Sequence, residues 1–161
     1  MMMWQNIRVQ TEVFDLGVEE QILRHHAGDC GALVAFVGLV REFNAGMNDS
    51  SAVQSLFLEH FPTVTENEIA RIIGDAQKQW PISAVTVIHR VGLLQASEPI
   101  VLVLVASAHR AEAFEAAQFI MDFLKTQAPF WKREDHADGH QHWVEAKASD
   151  ALAQTRWSNT I

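Results

Sequence analysis

The stretch 99-PIVLVLVASAHRAEAFEAAQFIMDFLKTQAPFWKRE-134 decides how this chain folds. Its opening, 100-IVLVLVAS-107, is apolar almost throughout and rich in β-branched residues, as a buried strand is. The period then changes. Within 109-HRAEAFEAAQFIMDFLKTQA-128, Ala113, Ala117, Ile120 and Leu124 recur every three or four positions, so the spacing predicts a long helix with one buried stripe. Ser107 is placed to cap that helix, and Pro129 ends it, because proline lacks the amide hydrogen and its ring clashes with the preceding turn. Beyond the proline comes a basic Phe130-Trp131-Lys132-Arg133 knot, expected to be a turn in which the two aromatic rings form a hinge.

Working outward, 84-AVTVIHRVG-92 reads as another strand, and 53-VQSLFLEHF-61 and 6-NIRVQTEVF-14 alternate apolar and polar as half-buried strands do. In 65-TENEIARIIGDAQKQW-80, Thr65 and Glu68 form a capping-box pattern, while Ile69, Ile72, Ile73 and Ala76 share a helical face up to Pro81. A short helix is expected over 17–27 with Val18, Ile22 and Leu23 on one side, and a buried strand over 31-GALVAFVGLV-40. The polar 42-EFNAGMNDSS-51 reads as a mobile loop and 142-HWVEA-146 as a last short strand. These elements make an α+β protein with a mostly antiparallel sheet and two to three packed helices.

The length of 161 residues suits one domain over 1–161, with room for a small lobe around 40–62. A net charge of -8 argues against a nucleic-acid-coating protein, which carries a broad basic face. No apolar run reaches the roughly 20 residues of a membrane helix, and the start MMMWQNIRVQTEV turns charged too early for a signal peptide. The one cysteine, Cys30, cannot form an internal disulfide and fits a reducing compartment. A cytoplasmic protein that binds neither nucleic acid nor membrane is therefore expected.

Against this acidic background, local cations stand out. His109 and Arg110 open the long helix, where positive charge opposes the helix dipole unless an anion is held there. Lys125 lies in the last helical turn, and Lys132 and Arg133 beyond the proline. If the chain turns back so that they converge, they suit proton transfer, nucleophilic attack on an electrophilic carbon or binding of an anion; otherwise they form a solvated basic turn. Arg41 stands where a strand runs out into a Gly/Asn loop, a common place for binding groups. His136, His140 and His142 have spacings that can bracket a metal, but no predicted helix rigidifies them and no cysteine joins them, so a polar hairpin turn around Asp138-Gly139 is the expected reading.

Taken together, 55-SLFLEHFPTVTENEI-69, 85-VTVIHRVG-92, 106-ASAHRAEAFEAAQFIMDFLKTQAPFWKRE-134 and 143-WVEA-146 resemble, in order, the MoaE family, the large catalytic subunits of molybdopterin synthase. The resemblance covers about residues 31 to 157, and the 107–134 span is its most specific part. It implies an α/β-hammerhead-like fold and a sulfurtransferase of molybdenum cofactor biosynthesis. Such an enzyme converts cyclic pyranopterin monophosphate to the molybdopterin dithiolene, with no permanently bound cofactor and no metal. The sulfur donor is the C-terminal thiocarboxylate of a small ubiquitin-like subunit ending in Gly-Gly. The implied assembly is a heterotetramer around a dimer of large subunits.

Residue by residue, the resemblance assigns catalysis to Lys125 and Lys132. It assigns substrate binding to Leu39, Val40, Arg41, His109, Arg110, Lys125, Lys132, Arg133 and Glu134. The family commonly has Gly-Lys-Val-Arg where this chain has Gly38-Leu39-Val40-Arg41, so one cation is missing, and Phe61 stands where tyrosine is usual. The alternative is a non-catalytic module that binds an anion or nucleotide, or docks a ubiquitin-like protein.

Overall fold

The computed structural model describes residues 2–41, 53–144 and 148–158. Along the chain run β1 (Trp4–Gln10), α1 (Leu16–Ala27), β2 (Ala32–Leu39), β3 (Val53–His60), α2 (Val64–Gln79) and β4 (Ile82–Arg90). Then come β5 (Gly92–Gln95), β6 (Pro99–Ser107), α3 (Arg110–Gln127), β7 (Phe130–His136), β8 (Gln141–Val144) and α4 (Ala148–Thr155). The strands form two sheets, ordered β1-β4-β6-β2 and β5-β3-β7-β8. Among the described residues only the β1–β4 pairing is parallel; the others are antiparallel. The chain is thus an α+β protein with mostly antiparallel strands.

The first sheet is buried on both faces, which is why β4 and β6 are apolar at nearly every position. Alternation sends Val85, Val87, Val101, Val103 and Val105 toward the side packed by α2 and α3, where Ile69, Ile73, Phe119 and Ile120 complete the main core. Ala84, Ile88, Leu102 and Leu104 point the other way, toward Leu23 and Ala27 of α1. A smaller core of Val40, Leu56, Leu58, Val91 and Leu94 backs the second sheet. The chain crosses between sheets at Val91-Gly92, where Gly92 takes φ 84°, a left-handed conformation that a side chain would strain.

Several expectations change. Ser107 does not cap α3: it ends β6, fully buried, and its hydroxyl donates to the Pro81 carbonyl at 2.7 Å. His109 takes the cap position instead, without a side-chain cap bond. Thr65 lies inside α2, whose cap is Thr63; its buried hydroxyl accepts from Phe61 N–H and donates to Pro129 O, both at 3.0 Å. Glu68 pairs with Arg71 rather than closing a capping box. The buried stripe of α1 is Glu19, Leu23 and Ala27, leaving Val18 and Ile22 exposed, because Glu19 pairs with Arg8 on β1.

The strand predicted over 31–40 forms as β2, yet it is a sheet edge with Phe36 and Leu39 exposed, not a buried strand. The expected turn at 130–134 is strand β7. The short α4 adds a fourth helix to the two or three expected, and Trp157 just beyond it packs in the main core while donating to Asp122 at 2.8 Å. The loop expected over 42–51 lies outside the described residues. Among the described residues no helix is long and apolar enough to cross a membrane.

Candidate active site

A cavity of about 640 Å³ opens where the C-terminal end of α3 meets β2, β3 and β7. Its walls are built by ordinary sheet and helix rules. Near the end of β2 the register against β6 shifts between Gly38 and Leu39, a bulge that re-aims the residues after it. A side chain at Gly38 would meet Val101 Cγ1 at 2.6 Å, so glycine permits the close approach there. Beyond the bulge, Val40 N–H donates to Glu98 O at 2.8 Å, which fixes Leu39, Val40 and Arg41 along the rim. Val40 is buried, whereas Leu39 and Arg41 are exposed.

Lys125 comes from the last turn of α3, where a cation is favoured by the dipole. Beyond the proline break, the chain runs straight into β7, and Lys132 stands opposite Leu58 of β3. Leu58, Lys125 and Lys132 all line the cavity. The aromatic knot divides its work: Phe130 turns inward against His89, while Trp131 is exposed and meets Phe61 edge-on at 4.7 Å. Trp131 and Lys132 also border a second hollow beside Trp143 and Glu59.

The structure thus brings Leu39, Val40, Arg41, Lys125 and Lys132 to one cavity. It does not bring in the remaining residues singled out from sequence. Arg133 points to the other face of β7, stacked over Phe57 at 4.7 Å and bonded to Asp135 at 2.8 Å, which holds its guanidinium pKa above the ordinary value. Glu134 shares the Lys132 face one step farther on and lies 3.7 Å from His136, away from the cavity lining. His109 and Arg110 are exposed at the opposite end of α3 from Lys125. Fifteen residues at 1.5 Å each put Arg110 about 22 Å from Lys125 along the axis.

Sequence reasoning missed His89 on this wall. Its ring stacks on Phe130 with centroids 3.9 Å apart and planes at 21°. Its Nδ1 lies 2.8 Å from the Arg90 carbonyl oxygen, so Nδ1 carries the hydrogen and donates. Burial, and secondarily the positive charges of Lys125 and His60, push its pKa down to about 4 despite that bond. The signal was present in the alternation Val85, Val87, His89, which puts the imidazole on the α3 side of β4.

The three histidines 136, 140 and 142 lie on the β7–β8 hairpin, whose turn is closed by His136 N–H donating to His140 O at 2.8 Å, with Gly139 at φ 86°. Among the described residues no group of three His, Cys, Asp or Glu side chains is placed to hold a metal ion.

The arrangement is cationic and open on one side, with apolar walls from Leu56, Leu58, Ile100 and Leu124. It suits a partly apolar molecule bearing negative charge. The MoaE protein family matches residues 9–127. The catalytic subunit of molybdopterin synthase from Pseudomonas aeruginosa is 48% identical over 94% of this chain and 97% of its own length. The same subunit from Escherichia coli is 49% identical, with 94% and 97% covered. Among solved structures, the molybdopterin biosynthesis MoaE protein from Burkholderia ambifaria superposes with a TM-score of 0.81 at 41% identity, covering 96% of this chain and 98% of that one. The chain belongs to the MoaE family.

Proposed function

We propose that this protein is the catalytic subunit of a molybdopterin synthase, a sulfurtransferase that accepts sulfur from a small partner and delivers it to cyclic pyranopterin monophosphate. The observation that carries this reading is the meeting of Arg41, Lys125 and Lys132 at one cavity in a chain of net charge -8. Cations gathered against the overall charge suit an anionic substrate and an anionic sulfur donor alike. The partner is a ubiquitin-like subunit whose Gly-Gly tail ends in a thiocarboxylate.

In each transfer the thiocarboxylate sulfur forms a C–S bond to the pterin side chain, and the C–O bond to the departing oxygen breaks. A proton reaches that oxygen from the Lys125 ammonium, and Lys132 and Arg41 stabilise the negative charge that builds up. Water then hydrolyses the acyl–sulfur bond, leaving sulfur on the pterin and a carboxylate on the partner. No protein thiol takes part, which is compatible with Cys30 as the one cysteine. Two rounds give the dithiolene.

His109 and Arg110 fit this scheme by a different route. Within one chain the length of α3 keeps them from Lys125, so they reach a cavity only when a second copy supplies them, as the proposed dimer of large subunits allows. Turnover with the precursor and a thiocarboxylated small subunit tests the reading. Lys125→Ala and Lys125→Arg should both lose dithiolene formation while still binding the partner, because arginine keeps the charge without yielding a proton. Full activity of Lys125→Arg would leave only an electrostatic or docking role.

A further inference from the structure

The polar side chains described around the cavity are unequal in kind. Arg41, Lys125 and Lys132 only donate, Ser149 can do either, and His89 spends its Nδ1–H on the Arg90 carbonyl. Asp150 alone among them brings a carboxylate. It belongs to the first turn of α4, where the helix dipole favours an acid. The dipole accounts for the residue type but not for its place on the wall of a cationic cavity. α4 buries none of its own side chains and is held from its far end: Trp157 is buried against Trp80 and Phe119 and donates to Asp122 of α3 at 2.8 Å. Asp122 stands three residues before Lys125, so that bond docks α4 on the helix that carries the lysine. Seven residues back from Trp157, roughly 10 Å along a helix axis, the chain delivers Asp150 to the cavity. Its side chain is half-buried, and among the described residues no hydrogen bond or ion pair engages the carboxylate.

We propose that Asp150 is a specificity-determining residue for the pterin end of the substrate: its carboxylate accepts from the ring N3–H and from the 2-amino group. This rests on the reading of the substrate as cyclic pyranopterin monophosphate. That molecule has two unlike ends. The phosphate is anionic and suits the cations. The pyrimidine edge of the pterin instead presents two neighbouring N–H donors, the pattern of a guanidinium fork, and a carboxylate answers such a fork with two bonds. A lysine or arginine facing that edge would set donors against donors. An acid facing the phosphate would repel it as a like charge. One carboxylate among three cations therefore fixes which way round the molecule enters, as well as which ring is accepted.

Pterin-6-carboxylate and lumazine-6-carboxylate are suitable probes, because they share ring shape and anion and differ at C2. Lumazine has a carbonyl oxygen where pterin has the amino group. The wild-type protein should bind the pterin on the order of tenfold to a hundredfold more tightly, the worth of a hydrogen bond to a charged group, read from the fluorescence of the rings. Asp150→Asn presents one N–H donor and one oxygen, so lumazine should gain affinity and pterin lose it, reversing the order. A gain of affinity cannot arise from misfolding. In turnover with the precursor and a thiocarboxylated small subunit, Asp150→Asn should raise KM by a similar factor while kcat holds. Equal affinity of the wild type for the two probes, or none for either, overturns the proposal. So does an Asp150→Asn protein that keeps the wild-type preference and KM. Dithiolene formation by the wild type leaves the synthase reading standing in each of those cases, whereas its absence overturns that reading and the role of Asp150 with it.

Discussion

The two ends of α3 carry cations in opposite electrical settings. At the C-terminal end Lys125 sits where the dipole welcomes it, and the chain folds a cavity around it from β2, β3, β4 and β7. At the N-terminal end His109 and Arg110 sit where the dipole opposes them, exposed, with no cap bond from the His109 side chain. The sequence motif that spans both ends looks uniform, yet within one chain it belongs to two separate places. A motif continuous in sequence need not describe one site, because a helix is a rigid spacer.

The largest expected effect tests the C-terminal end. Lys125→Ala should lower turnover by about 10²–10⁴-fold, the usual range for a lost general acid, with partner binding intact by calorimetry. The next joins the two ends. Arg110→Ala and Lys125→Ala, each impaired alone, should regain activity when mixed and allowed to exchange subunits, since one hybrid cavity then holds both native residues. Absence of any recovery would place Arg110 outside the reaction.

Smaller effects bear on stability. His89 has a folded pKa of about 4, below its usual 6.5, so in the window between them the unfolded chain binds more protons than the folded one. Its contribution is therefore complete above pH 6.5 and is lost as pH falls toward 4, a change on the order of 2–3 kcal/mol. Urea unfolding of wild type and His89→Phe at pH 7 and pH 4.5 should show the acid-dependent loss shrinking in the variant. Thr65→Val removes the hydroxyl that ties the start of α2 to the Pro129 carbonyl just past the C-terminal end of α3, and should cost about 1–3 kcal/mol by leaving buried partners unsatisfied. Least of all, Arg110→Glu should raise stability by about 0.3–1 kcal/mol in low salt, since a carboxylate suits the dipole where a guanidinium does not.

The parts of the fold that are legible in the sequence are those decided locally. The apolar runs of β4 and β6 and the stripes of α2 and α3 announce their period within a few residues. Strand β7 does not, because its alternation sets Phe130, Lys132, Glu134 and His136 on one face, which reads as a polar turn. It becomes a strand by pairing with β3, some seventy residues away in sequence. At four residues, β5 is too short to show a pattern, and α4 buries none of its own side chains. The site divides in the same way. Arg41, Lys125 and Lys132 stand out in the sequence as cations out of place, but their meeting depends on the β2 bulge and on β7. His89 reads as one more strand residue, since nothing local says that the α3 side of β4 ends at a cavity.

Gly92 carries a final implication. One residue, in a conformation that only glycine adopts without strain, is the elbow at which the chain passes directly from β4 of one sheet to β5 of the other. One of the connections that hold the cavity's two walls at their angle is thus a backbone torsion outside the reacting zone. Any larger residue at that elbow would be strained by the φ of 84°, although its Cβ would meet Thr11 Cγ2 at an ordinary contact distance of 3.4 Å, and relief of that strain should shift the wall bearing Lys132 relative to the wall bearing His89. Enlarging this glycine should change which molecules fit between the walls before it changes any group that touches them.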